Sequence, residues 1–90
     1  MNDQIIDAAM ARALHGDACR AYPIVAWVIA FDEAAYPDQF TARLMTRSQQ
    51  PYVLVAEKLA EVQEQLPAGL ERSERQPADP PEVVEIWFTK

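Results

Sequence analysis

The amino-acid sequence predicts an α+β fold, a mainly antiparallel sheet of three or four strands with a helix packed on one face, in the order α-β-β-β-α-β. Three observations lead there. PIVAWVIAF (23–31) and EVVEIWF (82–88), both rich in β-branched and aromatic residues, stand far apart in the chain. Between them, EKLAEVQEQL (57–66) places Leu59, Val62 and Leu66 on one side of a helix. At 90 residues and 50% hydrophobic, the chain can bury one core but is too short for a second.

The first segment, NDQIIDAAMARALHG (2–16), reads as a helix capped by Asn2 or Asp3, with Asp3 and Asp7 at its positive end and Gly16 as its stop. Its apolar stripe is Ile6, Met10 and Leu14, with Ile5 and Ala13 beside it. Because that stripe is narrow, residues 1–20 are expected to form an arm that packs loosely or reaches a partner, distinct from a core spanning 23–90.

PIVAWVIAF is apolar on both faces, as a central strand would be. Ile24, Ala26, Val28 and Ala30 form the small face, against which a helix could pack closely, and Val25, Trp27, Ile29 and Phe31 form the bulky one. DEAAYPDQ (32–39) breaks the pattern and reads as a loose connection to a second strand, FTARLMT (40–46). PYVLVAEKLAEVQEQLP (51–67) admits two readings: one helix from Pro51 to Leu66, or a strand YVLVA followed by a helix from Glu57. The β-branched content of the first part and the acid-rich change at Glu57 favour the split.

AGLERSERQPADPP (68–81) holds or borders four of the seven prolines, Pro67, Pro77, Pro80 and Pro81. It is a functional loop, a mobile one, or the seat of a further short strand at LERSE. The last strand follows, its start limited by prolines that cannot donate to a ladder.

Fourteen acidic residues against eight basic ones give a net charge of −6, which disfavours nucleic acid and anionic membranes as ligands. The longest apolar run, IVAWVIAF, is too short to span a bilayer, and the acidic start is unlike a signal peptide. A single cysteine, Cys19, permits no internal disulfide and suits a reduced, cytoplasmic setting.

Chemistry is sparse. His15 is the only histidine, and Ser48 and Ser73 are the only serines, so no hydrolase triad is suggested. His15, Asp17 and Cys19 fall short of a metal site because Gly16 interrupts their alignment, and two glycines cannot build a phosphate cradle. The neighbouring Asp32 and Glu33 point apart on a strand end. No catalytic residue, cofactor or metal is expected.

What remains is aromatic surface. A helix covers one face of a sheet, so another aromatic set needs a cover from the first helix, the long loop or a second molecule. The candidate partner surface is Trp87, Glu85 and Val83 with Trp27. The expected function is a non-enzymatic interaction or regulatory module whose partner is a protein or another copy of the chain. The alternatives are a small-molecule site at the 67–81 loop using Tyr52, Arg43 and Asp79, and an RNA-linked regulator of antitoxin type.

The strand-to-helix stretch YVLVAEKLAEVQEQL, within a strand-strand-strand-helix-strand order over residues 24–88, resembles the domain of HicB-type antitoxins. That resemblance implies a helix whose leucines pack on the sheet and a domain that covers a toxin partner. The Pro-rich segment between the family's second and third strands is missing, so no site residue carries over. The leading α-β-β-β-α order resembles double-stranded RNA-binding domains, although Glu57, Glu61 and Glu64 stand where those have a basic helix start. QPADPPEVVEIWF looks like the tail of small uncharacterised bacterial proteins.

Overall fold

The computed structural model describes residues 3–89. In chain order the elements are β1 (Gln4–Ile5), α1 (Ala8–Ala21), β2 (Ala26–Glu33), β3 (Tyr36–Met45), β4 (Gln49–Ala56), α2 (Leu59–Glu64), β5 (Leu70–Glu74) and β6 (Val83–Thr89). The strands form one six-stranded sheet in the order β1-β4-β3-β2-β6-β5. Only β1 and β4 run parallel; the other neighbours are antiparallel. The α+β class agrees with the sequence, while the sheet is larger and mixed. Its two extra strands are edges. One is two residues long, and the other is LERSE, whose Glu71, Arg72 and Glu74 are exposed.

The first helix begins later than expected. Asp7 is its N-cap, accepting the Met10 N–H at 2.9 Å, while Asp3 lies before the strand at Gln4–Ile5 and Asn2 falls outside the described residues. Gly16 sits within the helix and does not end it; the chain leaves at Tyr22, whose N–H bonds the Ala18 carbonyl. The buried stripe is Ala11 and Ala18 with Leu14 packed beside them, and Met10 is exposed. Alanines carry the contact because bulky residues on the sheet already fill the space between helix and strands.

DEAAYPDQ is strand and turn, not a loose connection. β2 runs to Glu33, Ala34 and Ala35 turn the chain, and Tyr36 already pairs with Glu33. A register shift after Phe31, with Asp32 at φ 59° and Asp38 at φ 61°, absorbs residues that do not fit a regular ladder. The Asp38 N–H donates to Asp32 Oδ1 at 2.8 Å, an arrangement that favours aspartate in left-handed backbone. Pro37 lies inside this irregular stretch, where no ladder partner is assigned to it. Further on, 51–56 is strand, as the split reading expects, and α2 buries Val62 with Leu59 and Leu66 packed against the core. Lys58 donates its N–H to Glu61 Oε1 at 3.2 Å, which fixes the start of this short helix.

Register decides the two faces. Trp27 opposes Leu44 on β3 and Trp87 on β6, Ile29 opposes Ala42, and Ala42 opposes Leu54. Directly opposed residues share a face, so these side chains form one apolar layer, joined by Ala11 and Ala18 of α1 and Val62 of α2. Trp27, Ile29 and Leu54 are completely buried there. Both helices therefore cover the bulky face. The small face, expected to accept a helix, does not. The reason is area: a tryptophan and an isoleucine remove far more apolar surface from water than two alanines and a valine, so the helices settle where that gain is largest.

Candidate functional site

On the helix-free face, Ala26, Val28 and Ala30 of β2 lie between Met45 of β3 and Ile86 of β6, and together they floor an open cleft of about 650 Å³. Small side chains on the central strand make the hollow, since their neighbours stand higher on the pleat. The volume is in the range of ligand-binding clefts, about 300–1,000 Å³. A second cavity of about 210 Å³, between the C-terminal half of α1 and the β3–β4 end, is smaller than that range.

One wall is an ion cluster built by the irregular β2–β3 hairpin. The register shift turns Glu33 back over the open face, where it accepts from Thr41 Oγ1 at 2.6 Å and from Arg43 Nε at 3.1 Å. Arg43 also donates Nη1 and Nη2 to the two carboxylate oxygens of Asp3, each at 2.8 Å, a bidentate pair. Its guanidinium carbon lies 5.7 Å from the centre of the Tyr36 ring. With Arg43 only 8% exposed, these partners satisfy a charge that would otherwise be costly to bury. Hydrogen bonds from Arg43 hold the Asp3 carboxyl below its usual range and raise the Arg43 guanidinium in turn. Burial pushes Glu33 up, but Arg43 and Thr41 outweigh it and the net direction is down.

The opposite wall is the turn before β6. Asp79 Oδ2 accepts the Gln76 N–H at 2.7 Å, and Arg75 Nη2 bonds the Asp79 carbonyl at 2.9 Å, which fixes the proline-rich approach. Asp79, Pro80 and Glu82 line the cleft. A register shift between Ile29 and Ala30 places Val83 opposite Ala30, so Val83 lines it too instead of alternating with Glu85 and Trp87.

The sequence-derived surface therefore divides. Trp27 is fully buried, and its indole N–H donates to His15 Nδ1 at 3.1 Å. Trp87 lies half-buried on the helix-covered face and donates its indole N–H to Glu85 Oε1 at 2.9 Å. Glu85 is 4% exposed and also accepts from Gln63 and, at 3.3 Å, from Arg72. Burial pushes its carboxyl up, but these three donors outweigh that and the net shift is down. Of the four residues, Val83 alone lines the cleft. Arg43 and Asp79 line it from opposite walls, whereas Tyr52 belongs to the smaller cavity. Sequence reasoning gives no binding role to Val28, Ile86, Met45, Glu33, Asp3 or Glu82: Val28 reads as part of a helix-packing face, Asp3 as a helix cap, and Glu33 as pointing apart from Asp32 at a strand end. The available signal was the alternation of small and bulky residues in AWVIA.

His15 and Cys19 do meet, with Nε2 and Sγ 3.5 Å apart. Because an indole N–H can only donate, His15 Nδ1 must accept and Nε2 must carry the proton. That nitrogen offers a hydrogen to the thiol and has no lone pair with which to take one. Burial also lowers the His15 pKa, favouring this neutral form. Among the described residues, no cluster of three or more His, Cys, Asp or Glu side chains is placed to hold a metal ion, and no helix is long and apolar enough to cross a membrane. No protein family, curated protein or solved structure matches the chain.

Proposed function

We propose that the chain is a non-enzymatic binding module that receives a partner protein on the helix-free face of its sheet. The observation carrying this reading is the cleft itself: an apolar floor left open in the middle of a sheet whose other face already satisfies both helices. An open apolar face on a small domain is a common mark of an interaction surface. The charged groups nearby argue against catalysis. Arg43 directs four of its five N–H donors at two carboxylates, Glu85 is held by three donors, and His15 is oriented as a donor toward Cys19. Groups so committed serve geometry, and none is poised to exchange a proton with a substrate. The likeness to HicB-type antitoxins favours the same class, a domain that covers a protein partner. A reduced, cytoplasmic setting fits an exposed, unpaired Cys19.

A second reading, a small-molecule site, draws on the same cleft, because Arg43 and Asp79 face it from opposite walls. Direct RNA binding is the weakest alternative, given the charge of −6. The test is a pull-down from native cell lysate with the tagged wild-type chain and with Val28→Lys, each checked for folding by circular dichroism. A stoichiometric protein retained by the wild type and lost by folded Val28→Lys is the expected result. Equal retention by both would move the surface elsewhere, and a small molecule seen by native mass spectrometry of the purified chain would favour the second reading.

A further inference from the structure

We infer that the occupant of the helix-free cleft is a short segment of a partner protein that carries Lys or Arg beside aliphatic side chains; this rests on the binding-module reading above. Charge complementarity selects it. Among the described residues, Asp3, Glu33, Asp79 and Glu82 line the cleft, and Arg43 is the one cation lining it. Four carboxylates against one lining guanidinium leave an excess of three negative charges in the lining, partly offset by the Arg75 guanidinium held on the Asp79 and Pro80 carbonyls. Arg43 offers them little more, because four of its five N–H donors are already directed at Asp3 and Glu33. The Asp3 and Glu33 carboxyls are held in the ionised form by that same pairing, so the wall stays charged at neutral pH. A concave, low-dielectric surface with one sign of charge concentrates ligands of the other sign.

The floor sets the second half of the chemistry. Ala26, Val28, Ala30 and Ile86 offer no hydrogen-bonding side chain, so the segment directs aliphatic groups downward and its cationic ends toward the acidic walls. Other occupants fit less well. A second copy would bring the same acidic rim and a net charge of −6 against itself. An added strand at the β5 edge would meet exposed Glu71, Arg72 and Glu74, the kind of charge that discourages edge pairing. Nucleic acid is repelled by the same carboxylates that attract a basic peptide.

The experiment is selection of a random 12-residue peptide library displayed on phage against the immobilised full chain, followed by affinity measurement of synthetic winners. The baits are wild type, Val28→Lys and Glu82→Lys, the last at an exposed position whose side chain is outside the core. Winners rich in Lys and Arg are expected. They should bind Glu82→Lys roughly three- to tenfold more weakly at low salt, with the gap closing at high salt, as for partly screened charge pairs. Winners lost on Val28→Lys but lacking basic residues, or indifferent to Glu82→Lys, would overturn the cationic occupant and leave the docking face standing. If no winner depends on Val28, both are overturned.

Discussion

The two faces of this sheet use their polar and charged groups in different ways. On the helix-covered face, Glu85 and His15 sit among apolar groups, and each is tied to a tryptophan: Glu85 to Trp87, His15 to Trp27. Their bonds fasten helices and strands together, since His15 is on α1, and Gln63 on α2 reaches Glu85 on β6. On the open face, Arg43 and its two carboxylates connect the N-terminal segment to the curled end of the β2–β3 hairpin and form the wall of a cleft. The contrast teaches that burial alone does not mark function here. One set of polar groups closes a core, while the other borders a cleft whose floor is buried at Ala30 and half-buried at Ala26, Val28 and Ile86, with no helix over it.

The comparison breaks first at its largest residue. Trp27→Ala removes a completely buried indole and should cost about 3–5 kcal/mol in urea unfolding, enough to threaten the fold. Val28→Ala, one residue along on the open face, should cost about 1 kcal/mol or less because its side chain is only half-buried. Comparable losses would mean that the open face is a second core.

Glu85→Ala is the next largest. It leaves Trp87, Gln63 and Arg72 without their acceptor and should cost about 1–3 kcal/mol by the same measurement. A neutral result would show that water replaces the carboxylate freely, and the covered face would then be less closed than described.

Two glycines sharpen the picture at smaller scale. Gly69 has φ +84°, a left-handed geometry, so Gly69→Ala should destabilise by about 1–2 kcal/mol. Gly16 lies within α1, and a methyl group there meets nothing within 4 Å, so Gly16→Ala should stabilise by about 0.5–1 kcal/mol. Destabilisation at Gly16 would contradict the helix running through it.

Acidity separates the faces most gently. Burial lowers the His15 pKa below its ordinary 6.5, so the unfolded chain binds the extra proton more readily than the folded one. Its contribution is complete above pH 6.5 and declines as the pH falls toward the lowered folded value; below that it has no further slope. The effect belongs to the covered face alone. His15→Gln, which keeps an acceptor for Trp27, should flatten stability against pH in that window. Asp3, Glu33 and Glu85 all have lowered pKa values, so stability that both faces draw from them is present above the ordinary carboxylate range and lost as pH falls through the folded values. A slope near pH 6 that survives in His15→Gln would assign it to another group.

Much of the covered face was legible in sequence. The run around Trp27 and the final strand announce themselves by β-branched and aromatic content, and the helical spacing of Leu59, Val62 and Leu66 by its period, which reflects burial on one side. The open face was harder to read, for physical reasons. Glu33 enters the cleft only because a register shift and a left-handed Asp32 turn it, and no side-chain period encodes a bulge. Asp3 and Arg43 meet across 40 positions of chain, through a two-residue parallel strand too short to leave a pattern. Glycine at position 16 suggested a helix end, yet the helix continues because packing of Ala11 and Ala18 against the core outweighs one poor helix former. The small face of β2 was visible as small, and its role was misread because small residues suit close helix packing as well as a hollow.

The most direct test of the division between the faces is the urea-unfolding free energy of Val28→Lys. A value within about 1.5 kcal/mol of the wild type is predicted, since the lysine can extend its charge to water from an uncovered face. A loss as large as that of Trp27→Ala would contradict it, and the cleft would then be part of the core and not a surface for a partner.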